Sequence, residues 1–184
     1  MPHIHICVGG VGMIPIILAG GENDYAMGGI LYERLGKHAD VLYIANGVIN
    51  HSKNGRQSFV IYELPEHSDI SGLASGIVII KENANRLGLL PENLPIIVGS
   101  DNCAALKRIP CGCKSIITCG MSVRDTLSLS ANVGGRASVS LQRRIRNIYG
   151  RWIGECELPL KCDGMTDYQI LALTAVLLIS GLEG

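Results

Sequence analysis

Three short runs of mostly β-branched residues constrain the fold of this 184-residue chain more than any other feature. They are Ile77–Ile80, Ile96–Val98 and Ser115–Thr118. A strand that is apolar at successive positions is buried on both faces, which is typical of a parallel sheet covered on two sides. Segments of helix length separate the runs, and strands that alternate with helices predict an α/β sandwich. The clearest of these helices is Asp101–Lys107, which begins with a capping residue, Ser100 or Asp101.

The N-terminal half carries further strand and helix signals. His3–Val8 predicts a first strand that ends at a glycine-rich segment, and Gly29–Gly36 predicts a short helix closed by a glycine. Val41–Ala45 and Phe59–Leu64 predict two more strands. The residues between these two strands, Asn46–Arg56, are polar and predict a loop.

The C-terminal part changes to an alternating pattern. Thr126–Ala131, Ala137–Ile145 and Trp152–Leu160 predict antiparallel strands with one solvated face. A last helix from Thr166 is apolar nearly all round, so it packs into a core or against a partner. We therefore predict a single α/β domain over residues 1–184. Its sheet is mostly parallel and Rossmann-like, flanked by helices, with antiparallel edge hairpins and an apolar C-terminal helix.

Charge and hydropathy exclude several classes of protein. Sixteen basic and sixteen acidic residues give a formal net charge of zero, which argues against nucleic acid or an anionic membrane as the partner. The apolar stretch Ile170–Leu182 is too short to cross a bilayer. The first basic residue is Arg34, so a signal peptide's positive region is missing and we expect a cytoplasmic protein.

The cysteines are a candidate metal site by number but not by spacing. Four of the seven lie close together, at Cys103, Cys111, Cys113 and Cys119. Structural zinc sites commonly use two Cys-x-x-Cys-like pairs, and this spacing contains neither. We therefore expect free thiols, as in a reducing compartment, and no zinc.

A glycine motif near the N-terminus has two interpretations. Gly10-Val-Gly12-Met-Ile-Pro15 follows the predicted first strand, where dinucleotide-binding proteins place G-x-G-x-x-G against a pyrophosphate. On that interpretation Gly10 and Gly12 bind a cofactor. The third glycine is replaced by Pro15, and no acid ends the next predicted strand, so a tight structural turn is the better interpretation. No Walker A sequence is present.

Two polar features of the second half also have two interpretations each. Asp101 is a candidate acid for the ribose or phosphate side of a nucleotide, with Asn102 beside it, although a helix cap is the favoured interpretation of Asp101. The arginines around the predicted C-terminal hairpin form a basic patch that could meet a phosphate, but a solvated strand face is favoured: Arg143, Arg144, Arg146 and Arg151.

Several motifs together resemble the central ATPase domain of the Mur ligases. Leu94–Asn102 followed by Ser115–Ser122 is similar to a strand with an Asn/Asp-rich turn that precedes a strand ending in ITxGxS. Leu158–Gly164 and Tyr168–Gly181 resemble the segment xLPLxGxHNxxNALAAxAxAxxxG of that family. The resemblance covers residues 59–184.

Two further matches concern the metal and nucleotide chemistry of the family. Phe59–Glu63 resembles the strand that carries a metal-associated glutamate, which makes Glu63 the implied metal residue. Ile77–Asn83 resembles the strand that ends in Thr-Asn. The resemblance thus implies a site for ATP and Mg²⁺, with Asp101 and Asn102 on the nucleotide side.

Departures from the family pattern fall on its catalytic motifs. The glycine-rich stretch before Gly29 lacks the ATP-binding Lys and Thr, and Ala84–Arg86 stands where an Asp-His pair is expected. Asp163–Thr166 replaces the GxHN sequence. We therefore expect a stand-alone, degenerate domain, non-catalytic as a ligase, that acts through homo-oligomerisation or a protein partner, with or without a bound nucleotide.

An alternative is a small enzyme of unrelated chemistry. Its site would lie at the carboxyl ends of the parallel strands and would use Asp101, Cys103 or Glu63. This hypothesis predicts a thiol or carboxylate of abnormal reactivity.

Overall fold

The computed structural model describes residues 12–21, 24–55 and 57–182, which form one ten-stranded sheet, a separate two-stranded sheet and three helices. The strands are β1 Met13–Ala19, β2 Asp40–Ala45, β3 Val48–Ser52, β4 Ser58–Leu64, β5 Ile77–Ile80, β6 Ile96–Gly99, β7 Ile116–Gly120, β8 Leu127–Val133, β9 Arg136–Leu141, β10 Ile145–Arg146, β11 Trp152–Ile153 and β12 Cys156–Lys161. The helices are α1 Ala26–Leu35, α2 Cys103–Leu106 and α3 Asp167–Ser180.

The large sheet is parallel in its centre and antiparallel at both ends. Its strand order is β12-β9-β8-β7-β6-β5-β1-β4-β2-β3. β1 lies in the middle, parallel to β4 on one side and to β5 on the other. β3 pairs antiparallel with β2 at one end, and β9 and β12 pair antiparallel at the other. The predicted fold class, an α/β domain with a mostly parallel sheet and antiparallel edges, is confirmed.

The two faces of the sheet are covered differently. α1 and α3 pack on one face, where the core includes Leu31, Leu35 and most of α3. The opposite face is covered by the connections around β5 and β6, with buried residues such as Leu87 and Leu94. The predicted helix-length segments on this face are largely irregular, and α2 has only four residues. Proline and glycine interrupt these connections, for example at Pro91 and Pro95, and proline cannot donate a helical hydrogen bond.

The first described strand lies where the sequence predicted a glycine-rich segment. β1 spans Met13–Ala19, and the predicted strand His3–Val8 lies outside the described residues. A proline argues against a central strand. Pro15 is tolerated because β5 pairs with β1 only from Ile16 onward, so at Pro15 the strand has a partner on one side alone.

The predicted loop after β2 also contains a strand. β3 forms an antiparallel hairpin with β2, and the connecting residues Asn46 and Gly47 have φ values of 46° and 74°. Positive φ at two consecutive positions is the requirement of a type I′ turn, which explains the Asn-Gly pair. The prediction of a loop over Asn46–Arg56 was therefore wrong for Val48–Ser52.

Helix α3 lies inside the chain's own core. It begins at Thr166 with a capping box to Gln169 and ends at Gly181, whose φ is 68°. Tyr168, in its first turn, is buried and donates a hydrogen bond of 2.5 Å to the carbonyl oxygen of Ile80 at the end of β5. The apolar surface of this helix, which had suggested a partner, is thus covered by the sheet and α1.

No helix of the residues described is long and apolar enough to cross a membrane.

Removing the cap of α3 should destabilise the domain measurably. Thr166→Ala loses the hydroxyl that accepts from the Gln169 amide, and such losses lower the free energy of unfolding by about 1 kcal/mol. Thr166→Ser keeps that acceptor and should stay close to the wild type. Urea denaturation of the three proteins measures the difference, and equal midpoints for the Ala and Ser variants would contradict it.

Candidate functional site

The main cleft lies at the carboxyl ends of β1, β4 and β5. It has a volume of about 320 Å³ and is lined by Gly21, Tyr25, Asn46, Glu63, Leu64, Pro65 and Lys81. Because β1 pairs with β4 on one side and β5 on the other, the chain's connections diverge at this point. Open α/β sheets bind their ligands at such switch points, outside the carboxyl ends of the strands.

A buried lysine is the central charge of this cleft. Lys81 directly follows β5, and its backbone N–H still donates to the Ala19 carbonyl of β1. Its side chain is only 3% exposed, and Nζ lies 2.6 Å from Oε2 of Glu63. Nζ also donates to the carbonyl oxygens of Gly21, at 3.3 Å, and of Asp24. A buried ammonium group requires such partners, because an unpaired charge is very unfavourable away from water.

Glu63 is the partner of this lysine and is itself 5% exposed at the side chain. Its Oε1 accepts a hydrogen bond of 3.0 Å from the Tyr43 hydroxyl. Its Oε2 lies 2.6 Å from the Lys81 ammonium group, the distance of a charge-assisted contact. Burial raises the pKa of Glu63 above its ordinary value, although Lys81 and Tyr43 oppose the increase. Burial, and then the charge of Glu63, also raise the pKa of Tyr43.

Helix α1 lies directly against this cluster because of a glycine. A Cβ atom at Gly28 would be 2.3 Å from Oε1 of Glu63 and 2.5 Å from the Tyr43 hydroxyl. No side chain larger than hydrogen fits there without movement of the cluster. Tyr25, which precedes α1, completes the site, with Nζ of Lys81 5.8 Å from the centre of its ring.

A second groove lies further along the same edge of the sheet. It is open, has a volume of about 370 Å³, and is lined by Glu82, Asn83, Ala84, Asn85, Asp101, Asn102, Cys103 and Ala104. Asn102 has a structural role in it: Oδ1 caps α2 by accepting from Ala105 N, and Nδ2 donates to the carbonyls of Glu82 and Ala84. Asp101, which the sequence offered as an alternative cap, is exposed instead.

The structure separates the residues that the sequence proposed as one site. Glu63 lies in the cleft, whereas Asp101 and Asn102 lie in the second groove. Gly12 precedes β1 and therefore lies at the amino end of that strand, opposite both clefts. Gly10 lies outside the described residues. Met13–Pro15 of the glycine motif lie within β1 itself, and that strand leads to Gly20 and Gly21.

Three residues of the cleft were missed by the sequence analysis. Lys81 had a detectable signal, since a charged residue directly follows an entirely apolar strand. Tyr43 had none, because its hydroxyl meets Glu63 only through the pairing of β2 with β4. Tyr25 comes just before α1. Asn23 and Glu22, two and three positions before it, lie outside the described residues.

The clustered cysteines occupy different environments. Cys103 and Cys111 are exposed, Cys113 is half-buried, and Cys119 is buried in β7. Burial raises the pKa of the Cys119 thiol, which disfavours its reactive thiolate form. No three metal-binding side chains converge within residues 12–21, 24–55 and 57–182.

Comparison with known proteins identifies the class of fold. The chain matches no protein-family model and no curated protein. It is similar to the crystal structure of UDP-N-acetylmuramate:L-alanyl-gamma-D-glutamyl-meso-diaminopimelate ligase from Neisseria meningitides, with a TM-score of 0.53 and 12% sequence identity. The match covers 93% of this chain and 62% of that ligase, so the chain spans less than two thirds of its length. The protein has a Mur-ligase-like fold, as its sequence motifs implied.

Removal of the buried lysine should be strongly destabilising. Lys81→Met leaves Glu63 buried without its counter-charge, and breaking such a pair typically lowers the free energy of unfolding by about 3–5 kcal/mol. The double variant Lys81→Met/Glu63→Gln carries no buried charge and still accepts from Tyr43, so most of the loss should be recovered. Urea denaturation near neutral pH tests this, and a double variant as unstable as Lys81→Met would contradict it.

The loss in Lys81→Met should depend on pH. Burial already raises the pKa of Glu63 above about 4.5, and removing Lys81 raises it further. A carboxyl group whose pKa is raised by folding makes its full contribution to the free energy of unfolding below about pH 4.5. That contribution is lost as pH rises through the folded-state pKa. The difference between Lys81→Met and wild type should therefore grow from pH 4 towards neutrality. A difference that is constant over this range would show that the charge of Glu63 is not its cause.

Proposed function

We propose that the protein is a degenerate Mur-ligase-like domain that does not activate carboxylates with ATP and acts by association, with itself or with a protein partner. The observation that carries this proposal is the position of Lys81, whose ammonium group lies against the carbonyl oxygens of the loop that follows β1.

This loop has the wrong polarity for a phosphate. Phosphate-binding loops at this position direct backbone N–H groups and a free lysine towards the anion. Here two carbonyl oxygens, from Gly21 and Asp24, point towards a cation that the chain itself supplies. The charge of Lys81 is already neutralised by Glu63 at 2.6 Å. Stabilising a transferring phosphoryl group needs cationic groups free to contact it, and Lys81, the one cation among the described lining residues of this cleft, is already paired.

The residues present do not fit the Mg²⁺ that the fold family implies. Magnesium is held by carboxylate oxygens together with water and substrate phosphates in nearly octahedral geometry. Both oxygens of Glu63 already contact donors, Tyr43 and Lys81, and the ammonium group lies where a second cation would have to enter. A metal at Glu63 would therefore have to displace Lys81 from a buried position.

The described linings of the two clefts offer a nucleotide's phosphates no unpaired lysine or arginine. The second groove carries two carboxylates, Glu82 and Asp101, and its lining contains no lysine or arginine. Asn102, which the sequence placed on the nucleotide side, is engaged in capping α2. These features support a domain that retains the scaffold of an ATPase without its phosphate site.

Self-association has a specific candidate surface, the edge at β3, which is a terminal strand of the sheet among the residues described. Val48 and Ile49 are 57% and 65% exposed on this terminal strand, which contains neither lysine nor proline. The opposite terminal strand, β12, carries Pro159 and Lys161, which protect an edge against pairing with another chain. Of the two terminal strands described for the large sheet, β3 is thus the better suited to extend it into a second copy.

A small enzyme is the second candidate. It is supported by the cluster of Lys81, Glu63 and Tyr43 beside a cleft, because buried titratable groups with shifted pKa values concentrate at functional sites. If the enzyme instead used Cys103 as its reactive thiol, an alkylating reagent should modify Cys103 faster than Cys111, which is also exposed. Alkylation at equal rates would remove the thiol version of this candidate.

Native mass spectrometry with and without MgATP tests the proposal. We expect no bound nucleotide, no ATP turnover and no change of the thermal midpoint, whereas a ligand at 100 times its Kd would add about 2.7 kcal/mol to the free energy of unfolding. Adenosine is the matched control, since it separates binding of the base from binding of phosphates. Turnover of ATP that is lost in Glu63→Gln would overturn the proposal, and the measured masses report self-association directly.

A further inference from the structure

The two-stranded sheet carries a surface that neither cleft explains. β10 and β11 pair Ile145 with Ile153 and Arg146 with Trp152. Ile145 is buried in the core below, whereas Trp152 is 61% exposed. The exposed residues of this hairpin and its flanks form what we call the basic aromatic surface: Arg143, Arg144, Arg146, Tyr149, Arg151 and Trp152.

Within the described part of the chain, no acidic residue forms a salt bridge with an arginine of this surface. The described residues of the chain form two salt bridges, Lys37 with Glu33 and Lys81 with Glu63, and neither includes these arginines. The guanidinium group of Arg144 lies 4.8 Å from the centre of the Trp152 ring, a cation–π contact that leaves its outer donors free. In a chain of zero net charge, this is a local excess of positive charge.

The surface is held in a fixed shape. Asn147 Oδ1 accepts from the backbone N–H groups of Tyr149 and Arg151, and Nε of Arg146 donates to the Gly150 carbonyl. The Ile148 N–H donates to the carbonyl of Ile179 in α3 and so attaches the turn to the main core. Because the backbone of the turn is already ordered, binding at this surface avoids the entropic penalty of ordering that backbone.

The residue types indicate what kind of partner the surface suits. Tryptophan, tyrosine and arginine are the three types most enriched among residues that dominate protein–protein binding energy. All the cations here are arginines, whose planar donors match carboxylates in pairs. Nucleic acid is disfavoured, because the chain has no net positive charge and the basic residues occupy one short hairpin.

We propose that the basic aromatic surface binds a carboxylate-rich segment of a partner protein. The arginines pair with the acidic side chains, and Trp152 and Tyr149 cover apolar groups between them. This inference rests on the proposed function, since it names the surface and the partner chemistry through which the domain would associate.

The experiment uses Trp152 as a built-in reporter, because it is the only tryptophan of the chain. Tryptophan emission is followed while the full chain is titrated with a synthetic Glu-rich peptide that lacks aromatic residues, with a Gln-rich counterpart as control. We expect a saturable change with the Glu-rich peptide alone, weakened by added salt. Arg144→Gln/Arg146→Gln should bind at least about fivefold more weakly, the loss typical of dominant interface residues. Arg124→Gln, a matched exposed arginine outside the surface, should bind like wild type.

Several results would overturn this inference. No change of emission at low ionic strength, or equal binding of the Gln-rich peptide, would remove the carboxylate partner. Tighter binding of an oligothymidylate than of the Glu-rich peptide would assign the surface to nucleic acid. A dimer of the free chain that dissociates in Arg144→Gln/Arg146→Gln would assign it to a second copy.

The same samples separate this inference from the proposed function. If the chain binds neither MgATP nor the Glu-rich peptide, only the inference about the basic aromatic surface is refuted, because association through β3 remains. A chain that turns over ATP refutes the proposed function, whatever the peptide does.

Discussion

The buried ammonium group of Lys81 is the constraint on which this domain's chemistry depends. The centre of the sheet brings β1, β4 and β5 together, and a charge at their shared edge must be neutralised inside the protein. Glu63 supplies the opposite charge, and the loop after β1 supplies two carbonyl oxygens. The position of that loop is therefore coupled to a cation, which is the opposite of what a phosphate-binding loop requires.

The surrounding structure is adapted to this pair rather than to a ligand. Gly28 lets α1 approach Glu63 and Tyr43 without a side chain between them. Tyr168 of α3 donates a hydrogen bond to the carbonyl oxygen of Ile80, the residue before Lys81. α1 and α3, which pack on the same face, therefore both contact this edge of the sheet. The shared fold therefore does not by itself assign the chemistry of this cleft.

The sequence predicted the sheet better than it predicted the site. Apolar runs such as Ile77–Ile80 identify buried strands whatever their partners, and the strand order then follows the parallel α/β pattern. β1 was not predicted because it contains Pro15. β3 was not predicted because it follows the short Asn46–Gly47 turn within a polar segment. The cleft could not be predicted, because Tyr43, Glu63 and Lys81 meet only after β2, β4, β1 and β5 have been placed side by side.

The central position of β1 has a consequence for how the chain acquires its structure during synthesis. β1 pairs with β4 and β5, and the helix that covers the same face, α3, ends at Ser180. β1 is therefore synthesised before both of its strand partners and well before α3. Contacts so distant along the chain form slowly, and incomplete sheets expose edges that aggregate. The core that Ile16 and Leu18 of β1 share with α3 is therefore completed only after that helix has been synthesised.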